Sequence, residues 1–158
     1  MRLGQLFPLC GPSYSVSLAM LTHNPDAPQI SAWLVLSGND FDSNACTDTI
    51  GLQPTSVWRQ AHEHLRDRTD LDNMSWSYGY ETRRGYDIDE VIQELLNDVR
   101  PCAASITQFS LQNKLKVSVT CNVTINSDRP LYKLSPNSMQ GISELNAEFL
   151  MDIFDYSE

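Results

Sequence analysis

Residues 114 to 125 alternate without a break. Leu115, Val117, Val119, Cys121, Val123 and Ile125 point one way, and Lys114, Lys116, Ser118, Thr120, Asn122 and Thr124 point the other. A period of two sustained this far predicts a long antiparallel strand with one face buried and one in water. "YSVSLAML" shows the same period more briefly, with Tyr14, Val16, Leu18 and Met20 set between small residues. "ISAWLVLSG" is apolar on both faces, which predicts a central strand covered on both sides. "MSWSYGYE" places Met74, Trp76, Tyr78 and Tyr80 on one face, a strand with a strongly aromatic side. "SVWRQ", after Pro54, is a short strand, and "EFLMDIFDY" a final one.

The helical period appears most clearly in "DIDEVIQELLNDV". Ile88, Val91, Ile92, Leu95, Leu96 and Val99 form its apolar stripe, and Asp87 with Glu90 resembles a capping box. Pro101 kinks that helix or restarts it as a second segment through Ile106 and Phe109. "NDFDSNACTDTIG" reads as a short helix capped by Asp42 and closed by Gly51 in the left-handed region. Ser135-Pro136 opens another short helix. "AHEHLRDRTDLDN" is a polar loop or frayed turn.

This order predicts an α+β fold: a mostly antiparallel sheet with helices mainly on one face. Its middle, from Ile30 to Ile125, reads β-α-β-β-α-β, the ferredoxin-like motif. An extra N-terminal strand precedes it and a helix and strand follow it. No repeat, low-complexity segment or linker interrupts the chain, so a single domain is expected over 1–158.

Composition changes the picture through charge. The 158 residues carry 20 acids against 11 bases, a net charge of −9. Such a surface disfavours nucleic acid and anionic membrane, which bind basic patches. It steers a basic partner instead; the plainer use of the same charge is solubility. Cys10, Cys46, Cys102 and Cys121 show no close metal spacing, and free thiols are expected. The opening "MRLGQLFPLC" is too short for a signal-peptide core, and no run reaches the length of a membrane span, so a cytoplasmic protein is expected.

The stretch "SAWLVLSGNDFDSNACTDTIGLQPTSVWRQ" resembles the entry segment of a bacterial domain-of-unknown-function family, number forty-two seventy-nine. The resemblance rests on a strand, an Asp-led helix and a corner made here by Ile50, Gly51, Leu52, Pro54 and Thr55, with Trp58 and Arg59 following. The aromatic strand, the long capped helix and the last two strands keep the family's order, over roughly residues 30–156. The family brings no catalytic residues with it. Small acidic domains of this type look similar to immunity proteins encoded beside bacterial polymorphic toxins, and that resemblance implies a toxin-binding role.

Candidate chemistry is sparse. His62 and His64 share a face if extended and could hold a metal with Asp67 or Asp70, but no further ligand stands at a familiar spacing. An EF-hand reading from Asp70 fails because Ser75 occupies the glycine position. No nucleophile elbow or phosphate loop is present in the sequence. Trp58 is expected to lock the corner after Pro54 into the core, with Arg59 paired to an acid.

The expected function is therefore non-enzymatic: an immunity-type protein, needing no cofactor or metal, that binds and neutralises a basic toxin domain such as a nuclease. The expected docking surface sets Trp76, Tyr78 and Tyr80 between two acidic clusters, Asp67/Asp70/Asp72 and Asp87/Asp89/Glu90. No nucleic acid or membrane is expected as a partner, and the chain should be a monomer or weak homodimer. The competing readings are a metal-dependent hydrolase using His62 and His64, and a self-associating structural domain.

Overall fold

The computed structural model describes residues 24–59 and 74–157. The strand expected at Tyr14 to Met20 and the polar run Ala61 to Asn73 lie outside the described residues. In chain order the elements are β1 (Gln29–Gly38), α1 (Ser43–Ile50), β2 (Ser56–Arg59), β3 (Met74–Gly79) and a two-residue β4 (Arg83–Arg84). Then come α2 (Ile88–Val99), a 3-10 turn (Arg100–Cys102), α3 (Ala103–Asn113), β5 (Lys116–Ile125), α4 (Pro136–Glu144) and β6 (Glu148–Asp155).

The elements begin and end where local chemistry directs. Asp42 accepts from the Asn44 and Ala45 amides, and Gly51 closes α1 at φ 79°. Only a residue without Cβ takes that conformation cheaply. Asp87 caps α2 by accepting from the Asp89 amide. Pro101 interrupts the helix, and the chain restarts as α3 after one 3-10 turn. Ser135 caps α4, with Pro136 at its first position.

The strands form one sheet in the order β2-β3-β1-β5-β6, with β4 paired to one end of β1. Every pairing is antiparallel except β5 with β6, which are parallel. The parallel pair follows from the crossover through α4, since a tight hairpin can join only antiparallel neighbours. The fold is α+β with a mostly antiparallel sheet.

The core lies between one face of the sheet and the helices. Ile30, Ala32, Leu34 and Leu36 of β1 and Val117, Val119, Cys121 and Val123 of β5 are buried there with Ile92, Leu95 and Leu96 of α2. The regular alternation of β5 is thus its burial pattern. The described helices cover one face of β1. Its second face carries Trp33 and Val35, which are half-buried. Among the described residues Val35 pairs with Ser77 and Ser118, and Trp33 with Gly79 and Thr120. The Trp33 ring lies against Gly79, where a Cβ would come within 2.7 Å of its Cε3.

Cys46, Cys102 and Cys121 are free thiols. Burial pushes Cys46 up to about 12 and Cys121 up to about 11. Neither forms thiolate at neutral pH, so both are expected to resist a thiol reagent in the native protein and to react after unfolding. Labelling with and without denaturant, located by mass spectrometry, checks this.

Candidate partner surface

Of the expected acid-flanked aromatic surface, Trp76 is turned inward, while Tyr78 and Tyr80 are half-buried. Trp76 is completely buried on the helical side of β3. Its Nε1 donates to Thr47 Oγ1 of α1 at 3.0 Å, so the indole joins β3 to α1 and touches no solvent. Tyr78 and Tyr80 extend the same face toward the end of the strand, edge to face at 6.3 Å. Both phenols donate to Asp98 Oδ2 of α2, Tyr78 at 2.8 Å. The Tyr78 phenol is held above its ordinary value mainly by the bond to Asp98, and the Tyr80 phenol mainly by burial and then by the same bond. The aromatic face of β3 is thus tied to α1 through Trp76 and to α2 through the two phenols.

The second acidic cluster divides. Asp89 is buried and turned inward. It accepts from the Ser135 amide at 2.9 Å and from Gln93 Nε2 at 2.6 Å. Burial raises its pKa, but the hydrogen bonds from Ser138, Ser135 and Gln93 together outweigh that, and the carboxyl lies below its ordinary value. Asp87 caps α2 and pairs with Lys133 at 3.0 Å. Glu90 alone of the three is exposed. The first cluster, Asp67, Asp70 and Asp72, lies outside the described residues, as do His62 and His64. Among the described residues no three His, Cys, Asp or Glu side chains gather as a metal site requires.

Trp58 is the other correction. It is 52% exposed on β2, opposite Ser75. β2 is an end strand of the sheet, and its Trp58 side faces away from the helices; the expected packing role therefore does not hold. Arg59 pairs with Asp40 at 3.0 Å, as the sequence suggested for it. Trp58→Ala is expected to cost less than about 1 kcal/mol in a denaturant melt, since little buried area is lost.

The surface that sequence reasoning passed over is β6. It ends the sheet on the side opposite β2. The register with β5 sets Glu148, Leu150, Asp152 and Phe154 on the open face, in line with Ser118, Thr120, Asn122 and Thr124. Leu150 and Phe154 are 46% and 47% exposed. On the helical side Ile153 is half exposed, and at the start of the strand Phe149 joins Leu134, Met139 and Ile142 around an open depression of about 560 Å³. The signal in the sequence was the alternation of acidic and apolar residues in "EFLMDIFD", which does not match a strand with a single buried face.

A family of domains of unknown function (DUF4279) matches residues 28–156, and the chain belongs to that family. No curated protein and no solved structure matches it. Among the described residues no helix is long and apolar enough to cross a membrane.

Proposed function

We propose that the chain is a non-enzymatic protein-binding module of immunity type, which works in the cytoplasm and neutralises a basic toxin domain by covering it. The observation that supports this is the layout of charge. Arg59, Arg83, Arg100, Arg129 and Lys133 are each engaged by an acid. Asp48, Glu90, Glu148 and Asp152 are exposed and stand outside these pairs. Five of the eight described bases are thus paired with an acid, and these four acids face outward. A surface of this kind complements a cleft that is basic because it holds phosphate, as nuclease clefts do, and it speeds encounter at low salt.

The test is co-expression with toxic domains encoded next to this chain's gene. The expected result is rescue of growth and a stoichiometric complex that weakens with salt. Growth arrest by every such domain despite ample expression of the chain would overturn the reading.

A further inference from the structure

The outer edge of β6 combines three features that the fold itself does not use. First, it is an unpaired edge among the described residues, eight residues long and without proline or glycine. Long apolar edges of this kind accept further strands unless they are blocked. Second, its backbone phase is defined. The Tyr156 amide donates to the Ile125 carbonyl at 2.9 Å, so the even-numbered residues turn their backbone groups toward β5. Phe149, Met151, Ile153 and Asp155 then turn theirs outward, because neighbouring residues in a strand face opposite sides. Third, the open-face side chains alternate acid and apolar: Glu148, Leu150, Asp152, Phe154. Neither Glu148 nor Asp152 is among the acids paired with a described base.

These side chains decide what can pair there. A second copy meeting β6 about a two-fold axis keeps the open faces together and must pair antiparallel. The well-overlapped registers then set Asp152 against itself, against Glu148, or against Leu150 or Phe154. Like charges directly opposite are destabilising, and an acid opposite an apolar side chain gains nothing. A net charge of −9 on each copy adds repulsion. A foreign strand with basic residues opposite the acids, and apolar residues opposite Leu150 and Phe154, meets no such conflict.

We propose that the outer edge of β6 is a docking edge for an extended basic segment of a partner protein, which adds as a further strand with lysine or arginine opposite Glu148 and Asp152 and apolar side chains against Leu150 and Phe154. Main-chain hydrogen bonds to the outward groups of Met151 and Ile153 supply affinity, and the alternating side chains supply selection. The proposal rests on the acidic-module reading and specifies where such a module holds its partner.

The probe is a fluorescent peptide of about eight residues, a typical strand length, alternating lysine and valine. Two companions are a glutamate-valine peptide and the lysine peptide N-methylated at alternate residues, which cannot offer a hydrogen-bonding edge. The full chain should bind the lysine peptide saturably at low salt and ignore the glutamate peptide. N-methylation, Asp152→Lys and Ile153→Pro should each weaken binding by about tenfold or more, as expected when a charge contact or the main-chain ladder is lost. Asp48→Lys, on α1, should change it little. Circular dichroism confirms that the variants fold, and the N-methylated peptide requires no variant at all. If N-methylation and Ile153→Pro leave affinity intact while Asp48→Lys and Asp152→Lys lower it equally, the edge proposal fails and the acidic-module reading stands. If the wild-type chain binds neither lysine peptide yet still protects cells from its toxin, the edge again fails alone. A concentration-dependent mass that Ile153→Pro abolishes would assign the edge to a second copy and overturn the proposal.

Discussion

Replacing Trp76 by alanine is expected to cost about 3–5 kcal/mol, the range for deleting a large buried aromatic ring. The ring is the largest fully buried side chain among the described residues. It lies opposite Leu36 in the β3–β1 register and opposite Val57 on β2. Its removal opens a cavity where β3 meets α1, and little can collapse into it, because Leu36 is fixed in the central strand. The polar term adds to this: Thr47 Oγ1 loses its donor, although that hydroxyl also donates to the Ser43 carbonyl at 2.9 Å and keeps one partner. Trp76→Phe separates the two contributions. It retains most of the apolar area and loses the indole N–H, so it should cost about 1–2 kcal/mol. Urea melts of both variants check the ordering. A loss below about 1 kcal/mol for the alanine variant would mean that the aromatic side of β3 is available to a partner after all.

What the sequence made legible, and what it did not, divides by the range of the interactions involved. The Asp42 and Gly51 ends of α1, the Asp87 cap, the break at Pro101 and the Ser135-Pro136 start are decided within a few residues, and each stands where the pattern placed it. The long alternation of β5 specified its buried face because a period of two admits only two choices, and one of them is all apolar. Trp58, Trp76 and Asp89 depended on remote neighbours. An aromatic face on a strand is consistent with either a core or an interface. For β3 the choice was made by Thr47 and Asp98, which arrive from α1 and α2. Trp58 is exposed because β2 lies at an end of the sheet, and strand order is not written in any local pattern. The same applies to β6: its mixed acidic and apolar alternation was visible, but only the sheet order reveals that one side of it is an edge.

Asp89→Ala is expected to destabilise the protein by about 3 kcal/mol, because a buried carboxylate that ties two helices together leaves its donors without a partner. Asp89 belongs to the first turn of α2, where an acid is favoured by the helix dipole alone. Its position is far more specific than that. It receives the backbone amide of Ser135, the capping residue of α4, from 46 residues away. Ser135 Oγ meets Ser138 Oγ at 3.2 Å, and Gln93 Nε2 reaches both Asp89 and Ser135. Ser138 is fully buried, and the start of α4 is fastened to the start of α2 by a polar knot. Loss of the carboxylate should loosen α4 first and, through it, the crossover that holds β6 parallel to β5. Asp89→Asn tests charge apart from shape. It can still accept from Ser135, but its amide group must face donors, and it should recover only part of the loss. The pH dependence follows from the direction of the shift. The carboxyl is lowered from its ordinary 3.8 in the folded state. A group depressed by folding stabilises the protein above its unfolded pKa, and that contribution is lost as the pH falls through the folded value. Wild-type stability should therefore fall below about pH 4 more steeply than that of Asp89→Ala, whose curve lacks this group. Hydrogen exchange of the α4 amides at neutral pH gives the structural counterpart: faster exchange in α4 than in α2 of the alanine variant is the expected pattern, and equal exchange in both would show that the knot does not fasten α4.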